Sequence, residues 1–174
     1  SLVGSEMCIR DRPYTGMIIS TRESQKSREK ALQLGISQIS GASSTSVGGY
    51  VEKETDENNT AQFDRSDTRT LDEVLNWLLE LGYIPSFCTA CYRQGRTGDR
   101  FMPLAKSGAI QNCCQPNALL TLKEYLEDYA SKDTKIKGDK VIAAEVKKIP
   151  NDKVRETTID YLDKIVHGSR DFRF

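Results

Sequence analysis

The sequence has no net charge: 25 lysines and arginines stand against 25 aspartates and glutamates in 174 residues. Without a cationic excess, a protein that binds nucleic acid through its overall field is disfavoured. No run approaches the ~20 consecutive apolar residues of a membrane-spanning helix. Nor does a basic N-terminus with an apolar core of about 7–15 residues mark a secretory signal. With 37% hydrophobic and 29% charged residues, the chain also lacks the compositional bias of a disordered protein. Its length bounds it to one domain or two small ones. Cysteine is scarce, yet four of the five, Cys88, Cys91, Cys113 and Cys114, fall within one short stretch. A disulfide framework would spread its staples across a domain, so these cysteines need another explanation.

Ser1–Arg12, SLVGSEMCIRDR, has neither helical nor strand period and stops abruptly before Pro13-Tyr14-Thr15-Gly16. It resembles translated sequencing-adapter read-through, so residues 1–12, Cys8 among them, are read as an artefact and left out of the fold. Met17–Ser20 reads as a short buried strand, about Glu23–Leu34 as a helix closed by Gly35, and Ile36–Ser40 as a second strand. Residues 13–50 thus carry a βαβ unit, which implies a parallel pair joined by a right-handed crossover. Two parallel strands cannot cover both of their faces, so the segment reads as the tail of a larger α/β domain. Gly41–Tyr50, GASSTSVGGY, is a loop with two readings, a plain connection or a ligand loop offering free backbone N–H groups. Residues 51–69 turn acidic and read as a solvated linker.

Thr70-Leu71-Asp72-Glu73 is a capping box for a helix over residues 70–82, with Leu71, Val74, Leu75, Leu78 and Leu79 at helical spacing and Gly82 as its stop. Trp77 on this helix suits core or interface. Residues 83–174 read as a small helical domain built around a cysteine-bearing loop. Its helices are expected over Ala118–Ala130, just after Pro116-Asn117, over about Asp139–Ile149, and over Asp152–His167 with Gly168 closing the last. His167, the single histidine, falls at a helix C-terminus, where the dipole favours a cation, and is read as structural.

Cys88-Thr89-Ala90-Cys91 places two thiolates at the spacing that wraps a turn around a metal centre, and Cys113 and Cys114 come just ahead of a helix. Zinc and iron–sulfur ligation both use such thiolates; buried inert cysteines and a redox CxxC pair are the alternatives. A closed zinc site wants four ligands, usually in two separated pairs, whereas adjacent side chains such as Cys113 and Cys114 rarely aim at one ion. Three thiolates with one position left open is the more natural arrangement, as in a [4Fe–4S] cluster with a free iron. Arg93, Arg96, Arg100 and Lys106, against Asp99 alone, suit an anionic cluster; a solvated basic face explains them equally well. Gly95-Arg96-Thr97-Gly98 could form an anion-binding nest, but it lacks the Gly-Lys-Ser/Thr ending of a P-loop.

The string Pro85-Ser86-Phe87-Cys88-Thr89-Ala90-Cys91-Tyr92-Arg93, with Gly95-Arg96-Thr97-Gly98-Asp99-Arg100-Phe101-Met102, Cys114 and Pro116 to Tyr125, closely resembles one family. It is similar to the C-terminal region of the radical S-adenosylmethionine tyrosine lyases that mature [FeFe]-hydrogenase. Pro13–Gly16, Ser20–Glu23, Ile36–Ser40, Gly48–Tyr50 and Gly168–Asp171 carry the likeness across residues 13–174. The family holds an auxiliary cluster by a CX2CX22C motif, which Cys88, Cys91 and Cys114 reproduce, and Cys113 then becomes a non-ligand neighbour.

The resemblance implies an α/β fold: the last two strands of a radical-SAM (β/α)8 TIM-type barrel, followed by a small, mainly helical cluster-binding domain. It implies a lyase that cleaves L-tyrosine to p-cresol and dehydroglycine, using S-adenosylmethionine and a second [4Fe–4S] cluster. The auxiliary [4Fe–4S] cluster would then form CO and cyanide on iron for hydrogenase assembly. No CX3CX2C motif for the second cluster occurs here, so the fragment is expected to be inactive alone. Arg22, at the end of the first strand, is the candidate catalytic residue, and Ser20, Ser40 and Ser43 are candidates for cofactor binding at the same barrel mouth. Ser44 stands where the family is expected to carry arginine, which puts an anion contact there in doubt. L-Tyrosine and other hydrogenase maturation proteins are the expected partners, without nucleic acid or membrane, in the cytoplasm. The alternatives are a zinc-stabilised binding module without catalysis and the related thiamine-pathway lyase, which shares the barrel but lacks the C-terminal cysteines.

Overall fold

The computed structural model describes residues 16–44 and 65–174, in two compact units divided between Val74 and Leu75. The suspected adapter stretch, residues 1–12, and most of the acidic segment lie outside the described residues. So does the loop Gly41–Tyr50 beyond Ser44.

The first unit begins with strand β1 (Ile18–Ile19), helix α1 (Gln25–Gln33) and strand β2 (Gln38–Ile39). The strands are parallel, Ile18 opposite Gln38 and Ile19 opposite Ile39, as the βαβ reading requires. Helix α1 starts where the Ser24 hydroxyl accepts the Ser27 N–H at 3.3 Å, and it ends at Gly35, whose φ of +100° has no cost only for glycine. Ile19, Ala31 and Ile36 form the core, with Met17 and Ile39 packed against it. Among the described residues these strands are the whole sheet, and a closed barrel is not seen.

Asp67 departs from the solvated-linker reading of residues 51–69. It is 5% exposed, and its carboxylate pairs with the fully buried Arg28 of α1. The Asp67 N–H donates to the Thr21 carbonyl at 3.0 Å, and Arg28 also donates to the Ser40 carbonyl. An acidic residue in an acidic run has been recruited as the counter-ion of a buried guanidinium.

The division falls within α2 (Leu71–Glu80). Its capping box forms as expected: Thr70 N–H donates to Glu73 Oε2 at 2.7 Å and Glu73 N–H to Thr70 Oγ1 at 3.3 Å. Trp77 is buried, as are Val74, Leu75, Leu78 and Leu79. In the second unit the short helices α3 (Ala90–Arg93) and α4 (Met102–Lys106) and two 3-10 turns, Gly98–Arg100 and Ala109–Asn112, lead to three longer helices. These are α5 (Cys114–Asp128), α6 (Lys132–Val146) and α7 (Asp152–Val166), and α5 packs against both of the others. Leu119, Leu120, Leu122 and Leu126 of α5, Ile142 and Val146 of α6 and Ile165 of α7 are buried. Each such side chain contributes about 1.5–3 kcal/mol relative to exposure. Lys123, almost buried on α5, is held by Glu127 and by Asp139 of α6, each at 2.7 Å.

Two helix boundaries differ from the sequence reading. Helix α5 begins at Cys114 rather than Ala118, because proline is tolerated in a first turn, where its missing N–H has no partner to lose. Helix α6 begins at Lys132 rather than Asp139: Ser131 caps it by accepting the Thr134 N–H at 3.4 Å, and Gly138 lies inside it. Gly138 is there for packing. A Cβ at this position would come within 3.1 Å of Leu126 Cγ and closer still to both methyls, and Leu126 is 1% exposed, with nowhere to swing. Gly138→Ala is therefore expected to lower the thermal midpoint, since overpacking of about 1–3 kcal/mol exceeds the roughly 1 kcal/mol gained in helix propensity. An unchanged or raised midpoint would show that the α5–α6 contact is looser than described.

Candidate metal centre

Two of the four clustered cysteines, Cys88 and Cys91, lie on a segment docked on α5, and Cys114 is the first residue of that helix. Cys88 precedes α3, and its sulfur accepts the Ala90 N–H at 3.5 Å. Cys91 lies within α3. The loop carrying Cys88 is docked on α5 by the Phe87 N–H, which donates to Thr121 Oγ1 at 3.2 Å, and by stacking of Phe87 on Tyr125 with centroids 5.3 Å apart. Cys114 opens α5. All four thiols are free and half-buried.

The sulfurs of Cys113 and Cys114 are 3.9 Å apart, closer together than adjacent side chains were expected to be. Cys113 differs from its neighbour in donating its S–H to the Ala109 carbonyl at 3.6 Å. Burial first, then Cys113, then the more distant Cys91 and Cys88 push the Cys114 thiol up to about 12. Cys114 therefore stands within electrostatic reach of the other three sulfurs.

Among the described residues no group of three or more His, Cys, Asp or Glu side chains is arranged to hold a single metal ion. A cluster interposes its own iron and sulfide between thiolates, so its ligands stand further apart than those of one ion. The donor set fits such a group in its chemistry: half-buried thiols whose mutual repulsion as thiolates a cationic iron core would relieve. Arg96, whose main chain is bonded to the Cys91 carbonyl, has a buried Nε without a hydrogen-bond partner among the described residues.

The basic residues after Cys91 are partly committed. Arg93 pairs with Asp171 at 2.5 Å. Gly95-Arg96-Thr97-Gly98 forms a helix end rather than a free anion nest. The Arg96 N–H donates to the Cys91 carbonyl at 2.8 Å and the Gly95 N–H to the Tyr92 carbonyl at 3.4 Å, with Gly95 at φ +63°. This is the pair of bonds of a Schellman cap.

The final residues return to α5. The side chain of Asn117, 3% exposed, accepts the Phe174 N–H at 2.9 Å and donates to the Phe174 carbonyl at 3.3 Å. The Asp171 N–H donates to Glu124 at 2.7 Å, and Arg170 grips Asp128. Phe172 stacks on Tyr161 with centroids 4.4 Å apart. Cys88 and Arg93 line a cleft of about 530 Å³ between this segment and α5. Asn117 and Asp171 were missed by sequence reasoning; an Asn just before the apolar run Ala118–Leu120 was the one local signal for the first.

In the first unit, Ser20 and Ser40 follow β1 and β2 at the same end of the parallel pair, and the Ser40 N–H donates to the Ile19 carbonyl at 3.0 Å. Ser20 Oγ accepts the Arg22 N–H at 3.2 Å, and Arg22 is exposed. Ser43 is half-buried, and its carbonyl accepts from Arg65. Ser44, where the resemblance put an anion contact in doubt, has a buried hydroxyl without a hydrogen-bond partner among the described residues. His167 is exposed at the end of α7, its Nδ1 2.8 Å from the Asp163 carbonyl, in keeping with a structural role.

The parallel βαβ unit and α2 fall within a known domain class, and the cysteines lie beyond it. The family model described as Biotin and Thiamin Synthesis associated domain matches residues 12–84. Beyond this class, the chain is similar to the crystal structure described as HydG, a maturase of the [FeFe]-hydrogenase, at 54% identity and a TM-score of 0.84. The likeness covers 93% of this chain and 34% of that one, so the chain spans about a third of the length of the protein it matches. No curated protein matched. The resemblance to hydrogenase maturation proteins carried across residues 13–174 is borne out by this match. No helix among the described residues is long and apolar enough to cross a membrane.

Proposed function

We propose that this chain is the auxiliary-cluster portion of a radical S-adenosylmethionine enzyme of [FeFe]-hydrogenase maturation. The whole enzyme would cleave L-tyrosine to p-cresol and dehydroglycine, the source of CO and cyanide for the hydrogenase cofactor. The observation that supports this most is the 54% identity to a hydrogenase maturase over 93% of the chain. The domain match at residues 12–84 suits the thiamine-pathway lyase as well, but the cysteines lie beyond residue 84 and separate the two.

Cys88, Cys91 and Cys114 would hold a [4Fe–4S] cluster. When bound, it would supply an iron with an open position for small, strong-field ligands. The chain's own residues then have defined tasks. The thiols ligate as thiolates and so release protons on loading. Thr121 and Tyr125 fix the Cys88 loop on α5, and Asn117 ties the final segment to the same helix. In the first unit, Arg22 would meet a substrate or cofactor carboxylate, with Ser20, Ser40 and Ser43 around the same mouth. S-Adenosylmethionine and the second cluster would be held by barrel residues outside this chain. Other hydrogenase maturation proteins would receive the product, in a cytoplasm that keeps the thiols reduced.

Anaerobic purification of the chain is expected to give iron and sulfide with broad absorbance near ~400 nm. A longer form carrying CX3CX2C is expected to release p-cresol from L-tyrosine. Stoichiometric zinc without iron would replace this reading by that of a zinc-stabilised binding module.

A further inference from the structure

We propose that Arg96 is a positioning residue for the cluster, donating its Nε–H to a sulfur of the thiolate-held group and thereby raising its reduction potential. The inference rests on the cluster reading above. Its ground is a buried donor in a place fixed from two sides. On one side, the Schellman cap ties the Arg96 main chain to the Cys91 carbonyl at 2.8 Å, with left-handed Gly95 making the turn. On the other, Arg96 Nη2 donates to the Phe174 carbonyl at 3.2 Å. Phe174 is itself bonded through both its N–H and its carbonyl to Asn117, one turn along α5 from Cys114. The guanidinium is thus anchored between the Cys91 turn and the first turn of the Cys114 helix.

Its Nε is buried and has no hydrogen-bond partner among the described residues. A buried charged donor left unpaired is costly, and such groups are found where a further acceptor completes them. The sulfurs of an anionic cluster are acceptors of the required charge. Hydrogen bonds and positive charge at those sulfurs favour the reduced, more negative form. Arg93, by contrast, already has Asp171 as its partner. Lys106 is exposed and serves as the control.

The test is a redox titration of the anaerobically loaded chain, followed by its visible absorbance and paramagnetic signal. With no CX3CX2C motif in this chain, the signal is expected to come from one cluster. Arg96→Met is expected to retain iron and to shift the oxidised-to-reduced ratio at fixed potential about tenfold toward oxidised, ~59 mV for one electron. Lys106→Met is expected to leave it unchanged. If Arg96→Met fails to load, Arg96→Lys decides, because it keeps a cation able to reach the Phe174 carbonyl but removes the Nε donor. A lowered potential supports the proposal and a parental potential overturns it. A loaded Arg96→Met chain that titrates like its parent overturns this proposal alone, whereas a parent chain that binds no iron overturns the cluster reading as well.

Discussion

Replacing Cys114 by serine is expected to abolish iron loading, while Cys113→Ser leaves most of it. The two side chains are neighbours with sulfurs 3.9 Å apart, so the contrast has to come from what each sulfur faces. Cys113 lies just outside α5 and turns its S–H back to the Ala109 carbonyl of its own 3-10 turn, at 3.6 Å. Cys114 is the first residue of α5, and its thiol is pushed up to about 12 by burial and then by Cys113, Cys91 and Cys88. That response places Cys114 in the field of the CxxC pair. Loss of an outer-shell partner already costs about 10–100-fold in metal affinity, and removal of one of three thiolates should cost at least that. Iron and sulfide per chain after anaerobic reconstitution give the readout. Equal loss from the two substitutions would show that both sulfurs ligate, and loss from Cys113→Ser alone would exchange their roles.

What could be read from the sequence was local. The Thr70–Glu73 capping box rests on bonds between residues three apart, so its pattern is sufficient to predict it. The parallel pairing of Ile18 with Gln38 follows from a strand, a helix and a strand in succession. The cysteines could be recognised because ligand spacing is itself a sequence feature; that Cys114 opens α5 could not, since proline and a short polar run concealed where that helix begins. Gly138 was equally misleading. The helix expected from about Asp139 starts at Lys132, and Gly138 is a packing glycine within it, required by a leucine of another helix. Contacts that close over long separations left no trace: Asn117 finds Phe174 57 residues away, and Arg28 finds Asp67 39 residues away.

That last pair carries the largest stability effect expected in the molecule. Arg28 lies on α1 with its side chain fully buried, and the Asp67 side chain is 3% exposed. Burial first, then the like charge of Arg69, draws the Arg28 guanidinium down to about 10, which still leaves it charged at neutral pH. Asp67 accepts from Arg28 and from Arg69, the latter at 2.6 Å. Its backbone is tied to Thr21 just after β1, and Arg28 reaches the Ser40 carbonyl just after β2. The Arg28–Asp67 pair therefore joins both strand ends, the crossover helix and the segment after residue 64. Asp67→Ala leaves a buried cation without its counter-ion, a change that typically costs about 3–5 kcal/mol. A two-stranded sheet with a small core has little stability to absorb that loss. The amides of β1, α1 and β2 are expected to exchange with deuterium about a hundredfold faster or more, while those of α5–α7 keep their protection. The double change Arg28→Met with Asp67→Leu removes both charges and should recover most of the protection, because an apolar pair of similar volume is often no worse than a buried ion pair. If the single and double substitutions open the first unit equally, its stability comes from the shape of the site and not from the pairing of charge.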